Sequence, residues 1–258
     1  MATEEITKKR RLQDDDKPRK KQKKQKKMRE DEGDLDVEAG LNRAFERMDG
    51  QLLADHLAQK TRRFGTDLSP VELSDLYISG APACCEANAI RDSTSWEKPR
   101  SLENLPSFLE AFSGASAKLD EAPKKTGSPH TLIVAAAGLR AADLVRAVRK
   151  FQKKGCPVAK LFAKHFKLEE QVSFLQKTRT GIAVGTPQRL IDLIENDALS
   201  LDSLKRIVVD ASHIDQKKRG IVDMRETMLP LAKLLCRSAL KERFTDEDPG
   251  RHVDLIFY

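Results

Sequence analysis

Beyond residue 130 the apolar residues fall into short runs of strand type separated by stretches of helical periodicity. The runs are TLIVAAA (131–137), VAKLFA (158–163), GIAVGT (181–186), KRIVVDAS (205–212) and DLIFY (254–258). Between them Ala141, Leu144, Val145, Val148 and Phe151 form one helical stripe, Leu168, Val172 and Leu175 a second, and Leu190, Leu193 and Ile194 a third. Strands that are apolar without interruption are buried on both faces. Their alternation with helices predicts an α/β fold, a doubly wound parallel sheet.

Upstream the pattern changes. Leu41, Phe45, Met48, Leu52 and His56 or Leu57 recur at helical spacing and predict one amphipathic helix that runs to about Phe64 and stops at Gly65. Ser69, Pro70 and Glu72 have the order of a capping serine, a first-turn proline and a glutamate three residues on, which starts a second short helix through Tyr77. Trp96, Leu102, Leu105, Phe108, Leu109 and Phe112 read as buried, and residues 114–130 as a loop rich in Lys, Pro, Gly and Ser. Residues 1–36 hold almost no apolar side chains and read as a disordered tail. Residues 37–78 then form an N-terminal helical region and residues 79–258 the main lobe.

Composition sharpens the division. The 258 residues carry 47 Lys and Arg against 40 Asp and Glu, a net charge of +7. Thirteen of the basic residues, against three acidic ones, fall within residues 8–29. The basicity is therefore concentrated in this stretch of the tail, centred on KPRKKQKKQKK (17–27), while the rest of the chain, residues 1–7 and 30–258 together, carries 34 basic against 37 acidic residues. Such a tail suits nuclear targeting and sequence-independent contact with phosphates, and with no aromatic residue it has nothing to stack on bases. Lys20, Lys21, Lys23, Lys24, Lys26 and Lys27 are its candidate RNA contacts. The sequence begins with charge, and its longest apolar run is far short of the ~20 residues that span a bilayer, so no membrane role is expected. Cys84, Cys85, Cys156 and Cys236 make no CxxC pair, and the five histidines make no HExxH, so neither a zinc module nor a zinc hydrolase is indicated.

In open parallel sheets ligands bind beyond the carboxyl ends of the strands. The residues expected there are Ala137 to Arg140, Ala163 to His165, Gly185 to Arg189 and Asp210 to His213. This series resembles the first RecA-like lobe of a DEAD-box RNA helicase. Thr-Pro-Gln-Arg at 186–189 is similar to that family's T-P-G-R, and Val-Val-Asp-Ala-Ser-His at 208–213 stands where V-V-x-D-E-A-D is expected. The resemblance implies that Arg140, Thr186 and Arg189 face RNA.

The departures matter more. No GxxxxGK[ST] loop exists to cradle phosphates, and the segment from which it is expected, 113–130, reads SGASAKLDEAPKKTGSPH. Asp210 matches the magnesium-site aspartate, but Ala211 replaces the glutamate that positions the attacking water, and Ser212 and His213 complete a degenerate motif. Phosphoryl transfer rests on positioning and charge stabilisation, so both losses together exclude turnover. The residues after His213 have room for little more than a helix and a strand, so no second helicase lobe follows within them. Asp210 and His213 lack a third ligand, so no metal or cofactor is expected.

Nearly the whole chain resembles the Cms-one family of nucleolar proteins, whose diagnostic run here is IAVGTPQRLIDLIENDALSLDSLKRIVVDASHID (182–215). That resemblance implies a non-catalytic ribosome-assembly factor of the nucleus and nucleolus, working within the small-subunit processome, the 90S pre-ribosome. Its partners would be pre-ribosomal RNA, the small nucleolar ribonucleoprotein particle and processome proteins. Two alternatives remain open: a divergent nucleotide-binding protein that uses residues 118–130, and a chromatin or DNA adaptor.

Overall fold

A computed structural model describes residues 34–78, 89–114, 118–163 and 166–258. The candidate tail lysines, Lys20 to Lys27, together with Cys84, Cys85 and His165, lie outside the described residues.

Five short strands form one sheet: β3 (Thr131–Val134), β4 (Ala159–Leu161), β5 (Ile182–Gly185), β6 (Arg206–Val209) and β7 (Asp254–Phe257). They stand in the order β4-β5-β3-β6-β7, and every pair is parallel. Each lies inside one of the apolar runs. Leu132, Val134, Ala183, Ile207, Val209, Leu255 and Phe257 point into one core. The alternate residues Ile133, Ile182, Val184, Val208 and Ile256 point into another. The period of two thus divides continuous apolar strands between two covering layers.

The second layer holds α3 (Leu105–Ala111) and α4 (Gly138–Ala147), the latter continued as a 3-10 turn through Phe151. Here Ala141, Leu144, Val145, Val148 and Phe151 are all buried, as their spacing predicts. The first layer holds α5 (Leu168–Lys177), α6 (Pro187–Glu195) and α7 (Arg225–Leu235), followed by the short α8 (Ser238–Lys241). The chain is therefore a doubly wound α/β lobe. After His213 the chain forms one helix and one strand of the lobe, with the single turn of α8 between them.

The N-terminal region differs from its sequence reading in register. A hairpin of β1 (Leu35–Asp36) and β2 (Leu41–Asn42) replaces the expected start of the long helix, and residues 34–36, assigned above to the tail, belong to it. The turn is built locally: the Asp36 carboxylate accepts from Ala39 N–H at 3.1 Å, and Gly40 takes φ +66°, a left-handed conformation that glycine adopts without Cβ strain. Helix α1 spans Gly50–Phe64, with Asp49 Oδ1 accepting from Leu52 N–H at 2.8 Å as its cap. This start turns Leu53, Ala54 and Leu57 inward against α7 and leaves Leu52 exposed. Each leucine buried this way contributes roughly 1.5–3 kcal/mol. Helix α2 (Pro70–Asp75) has the expected capping box, Ser69 with Glu72, and ends two residues before Tyr77.

Candidate functional site

Strand order reverses direction between β3 and β6. From β3 the chain moves to β4 and β5 on one side, then returns to β6 and β7 on the other. The crevice at such a reversal, beyond the carboxyl ends, is where doubly wound sheets take their ligands. In this protein a side-chain pair fills it. Arg140, on the first turn of α4 after β3, donates from Nε to Asp210 Oδ2 and from Nη2 to Oδ1, both at 2.8 Å. Asp210, the first residue after β6, is 1% exposed, and Arg140 is 8% exposed. Burial alone depresses the guanidinium pKa, but the hydrogen bonds and charge of Asp210 outweigh it and raise it overall. Arg140, expected to face RNA, is thus turned inward.

The rest of the degenerate motif is covered as well. Ala211 is fully buried, and Ala211 N–H and Ser212 N–H both donate to Tyr258 O at 2.8 Å. Ser212 Oγ is buried without a hydrogen-bond partner. His213 pairs antiparallel with Leu41, Asn42 N–H donates to Ser212 O at 2.7 Å, and Ile214 N–H donates to Gly40 O at 2.9 Å. The amino-terminal hairpin is therefore laid along residues 212–214. Burial lowers the His213 pKa, with Arg140 adding to the effect and Asp210 opposing it. No group of three or more His, Cys, Asp or Glu side chains among the described residues could hold a metal ion.

The outer side of β7 is closed by an irregular segment. Arg91 N–H donates to Leu255 O at 2.8 Å, and Arg100 Nη1 donates to Phe257 O at 2.8 Å. Arg100 is wholly buried and has no carboxylate bonded to it among the described residues; burial lowers its pKa to about 10. The hydroxyl of Tyr258 donates to Ser101 O at 2.6 Å and ties this segment to the crevice. Sequence reasoning missed Arg100 and the hairpin. The hairpin had a local signal, Asp36 four residues before Gly40; Arg100 had none, because its partners are main-chain carbonyls distant in sequence.

At the neighbouring strand end, β5 passes through Thr186 into α6. Pro187 occupies the first helical position, but the Thr186 hydroxyl makes no capping bond, so the amide groups of this helix start are not satisfied by its own side chain. Thr186 and Arg189 are half-buried, and Gln188 is exposed. Arg189 Nη1 donates to Gln171 Oε1 at 2.8 Å and to Phe166 O at 3.2 Å, which fixes the guanidinium beside the β4 loop. Gly185 has no room for a side chain: a Cβ would lie 2.6 Å from Leu161 O. Thr186 and Arg189 therefore share one edge, while Arg140 and Asp210 share the crevice.

The loop at 118–130 lies at the other end of the sheet. His130 N–H donates to Gly181 O at 3.0 Å and Ser200 N–H to Gly127 O at 2.8 Å, both at the amino ends of the strands. Lys125 is ion-paired with Asp202, and Lys124 is exposed. This placement removes the loop from the crevice in which a phosphate cradle would stand.

The sequence matches, over residues 3–258, the CMS1 family, described as a U3-containing 90S pre-ribosomal complex subunit. It is 77% identical to Protein CMS1 of Chaetomium thermophilum over 98% of this chain and 97% of that protein. The chain belongs to the CMS1 family. Protein cms1 of Schizosaccharomyces pombe is 29% identical over 80% of this chain and 69% of its own length. Among solved structures, the RNA helicase Prp28 from Chaetomium thermophilum bound to ADP is 19% identical, with a TM-score of 0.39 over 79% of this chain and 42% of that one. In this CMS1 family member Asp210, at the end of β6, is held in an internal ion pair with Arg140.

Proposed function

We propose that this protein is a non-catalytic ribosome-biogenesis factor that works as a subunit of the U3-containing 90S pre-ribosomal complex, the small-subunit processome of the nucleolus. Its family description supports the ribosome-assembly role. The observation that carries the non-catalytic reading is the bidentate Arg140–Asp210 pair. Both oxygens of Asp210, read from the sequence as the counterpart of the magnesium-site aspartate, are spent on a guanidinium, and Ala211 beside it supplies none. With no phosphate cradle in the sequence, an ATP-driven cycle has no foothold.

The lobe acts instead as a rigid dock. Thr186 and Arg189 hold a phosphate of pre-ribosomal RNA at the start of α6, where amide groups and helix dipole favour an anion. The basic tail adds contacts that do not read sequence, and the body of the protein meets processome proteins.

Two measurements test this. Purified protein is expected to show no ATP hydrolysis with or without RNA; RNA-stimulated turnover lost in Asp210→Ala would overturn the non-catalytic reading. Ultraviolet crosslinking in cells, with full-length protein and residues 37–258, is expected to recover ribosomal precursor and small nucleolar RNA. Recovery no better than an untagged control rejects the RNA role, and enrichment on chromatin would favour a DNA adaptor.

A further inference from the structure

An open groove of about 560 Å³ lies between α1, the amino-terminal hairpin and the loop that follows the degenerate motif. Its walls include Lys60 and Arg63 from α1, Lys218 and Asp223 from that loop, and Asp34 from the start of the hairpin. Both acids are internally neutralised: Asp34 pairs with Arg47 and Asp223 with Lys60. Arg63 and Lys218 are exposed and form no ion pair among the described residues. The groove therefore presents positive charge that its own walls do not neutralise.

The turn that carries Lys218 is built to hold it there. Asp215 Oδ1 accepts from Lys217 N–H at 2.8 Å and from Arg219 N–H at 2.9 Å, while Arg219 Nη2 donates to Asp215 Oδ2 at 3.0 Å. Lys218 itself sits at φ +59°, a left-handed conformation uncommon for a residue with a Cβ. A glycine would take this conformation without strain, yet the position carries a lysine that lines the groove. Non-glycine residues held in such conformations concentrate at ligand-contacting sites.

We infer that this groove seats the phosphodiester backbone of an RNA strand, with Arg63 and Lys218 as its anion contacts. The inference rests on the RNA-binding reading above and adds a second contact surface to it, on the N-terminal helical region and apart from Thr186 and Arg189. RNA is favoured over an acidic protein segment by continuity with the tail. Asp34 lines the groove, and Arg29, the last of the tail's thirteen basic residues, is five positions upstream, so its Cα lies within ~18 Å of that wall. A polyanion engaged by the tail is thereby delivered to the groove. Of the two rings that line the groove, Phe45 is buried and edge-on to the half-buried His56, so the contact is assigned to backbone charge and not to base stacking.

The test is fluorescence anisotropy with a labelled mixed-sequence 20-nucleotide single-stranded RNA, titrated with the full chain at several KCl concentrations. Arg63→Gln with Lys218→Gln is expected to weaken binding about tenfold near 100 mM KCl and to flatten the log–log salt slope by roughly 1.4, the equivalent of two phosphates. Lys218→Arg is expected to retain affinity, and Lys218→Gly to lose it while raising thermal stability. Unchanged affinity and slope in the double variant, with loss on replacing Lys20, Lys21, Lys23, Lys24, Lys26 and Lys27 by Gln, would overturn the groove and leave the tail as RNA contact. Failure of the parent protein to bind would overturn the RNA reading as a whole.

Discussion

Arg140 and Asp210 close the crevice between β3 and β6 with two parallel hydrogen bonds of 2.8 Å. They come from opposite sides of the point where the strand order reverses, so the pair also ties the two halves of the sheet together. Charges taken out of water are retained only when each is matched, and removing one partner leaves the other stranded. Arg140→Met and Asp210→Leu are each expected to cost about 3–5 kcal/mol in urea unfolding, and the double variant far less than their sum. Either single variant within about 1 kcal/mol of the parent would show that the pair is not holding the crevice.

A carboxylate introduced beside Asp210 should not create catalysis. Ala211 is fully buried, with its N–H bonded to Tyr258 O, so Ala211→Glu places a carboxylate beside Asp210, whose partner Arg140 is already engaged by both of its oxygens. The expected outcome is a loss of about 3 kcal/mol or more and no ATP turnover. A variant as stable as the parent, or one that hydrolyses ATP in the presence of RNA, would refute this view of the site.

The sheet was legible because its signal is local. All five strands lie within the apolar runs, and the stripe from Ala141 to Phe151 is buried where its spacing puts it. The first helix was only half legible. Leu41 and Phe45 continue the helical spacing of α1, but Asn42 and Asp49 cap new starts, and those side-chain bonds outrank periodicity. The role of Arg140 was not legible at all. Its sequence neighbours place it correctly at a strand end, but whether it faces RNA or Asp210 depends on a partner 70 residues away.

Thr186 separates a binding role from a capping role. Its hydroxyl makes no capping bond, so Thr186→Val, which keeps the branched shape, is expected to leave the melting temperature within 1–2 °C while reducing RNA crosslinking of the tail-deleted lobe several-fold. Arg189→Ala should reduce both, because its guanidinium also holds Gln171 and the Phe166 carbonyl. A Thr186→Val protein that melts several degrees lower, or that crosslinks as the parent does, would assign this turn to structure alone.

The acid limb of stability should be governed in part by His130. Burial, with the Arg206 guanidinium nearby, lowers its pKa from 6.5 to about 4. The unfolded chain takes up this proton near pH 6.5 and the folded chain only near pH 4, so between those values the unfolded state binds more protons. Stability from the neutral imidazole is complete above pH 6.5 and falls as pH drops toward 4. Over pH 7 to 5 the loss comes to about 2 kcal/mol. His130→Asn keeps a hydrogen-bonding group near the Thr131 hydroxyl, which Nδ1 meets at 2.8 Å, and has nothing to titrate. Its stability should therefore fall less on acidification, by that amount, in urea unfolding at pH 7 and pH 5. Equal acid sensitivity in parent and variant would mean that His130 takes its proton in the folded protein and that its burial is not what limits stability in acid.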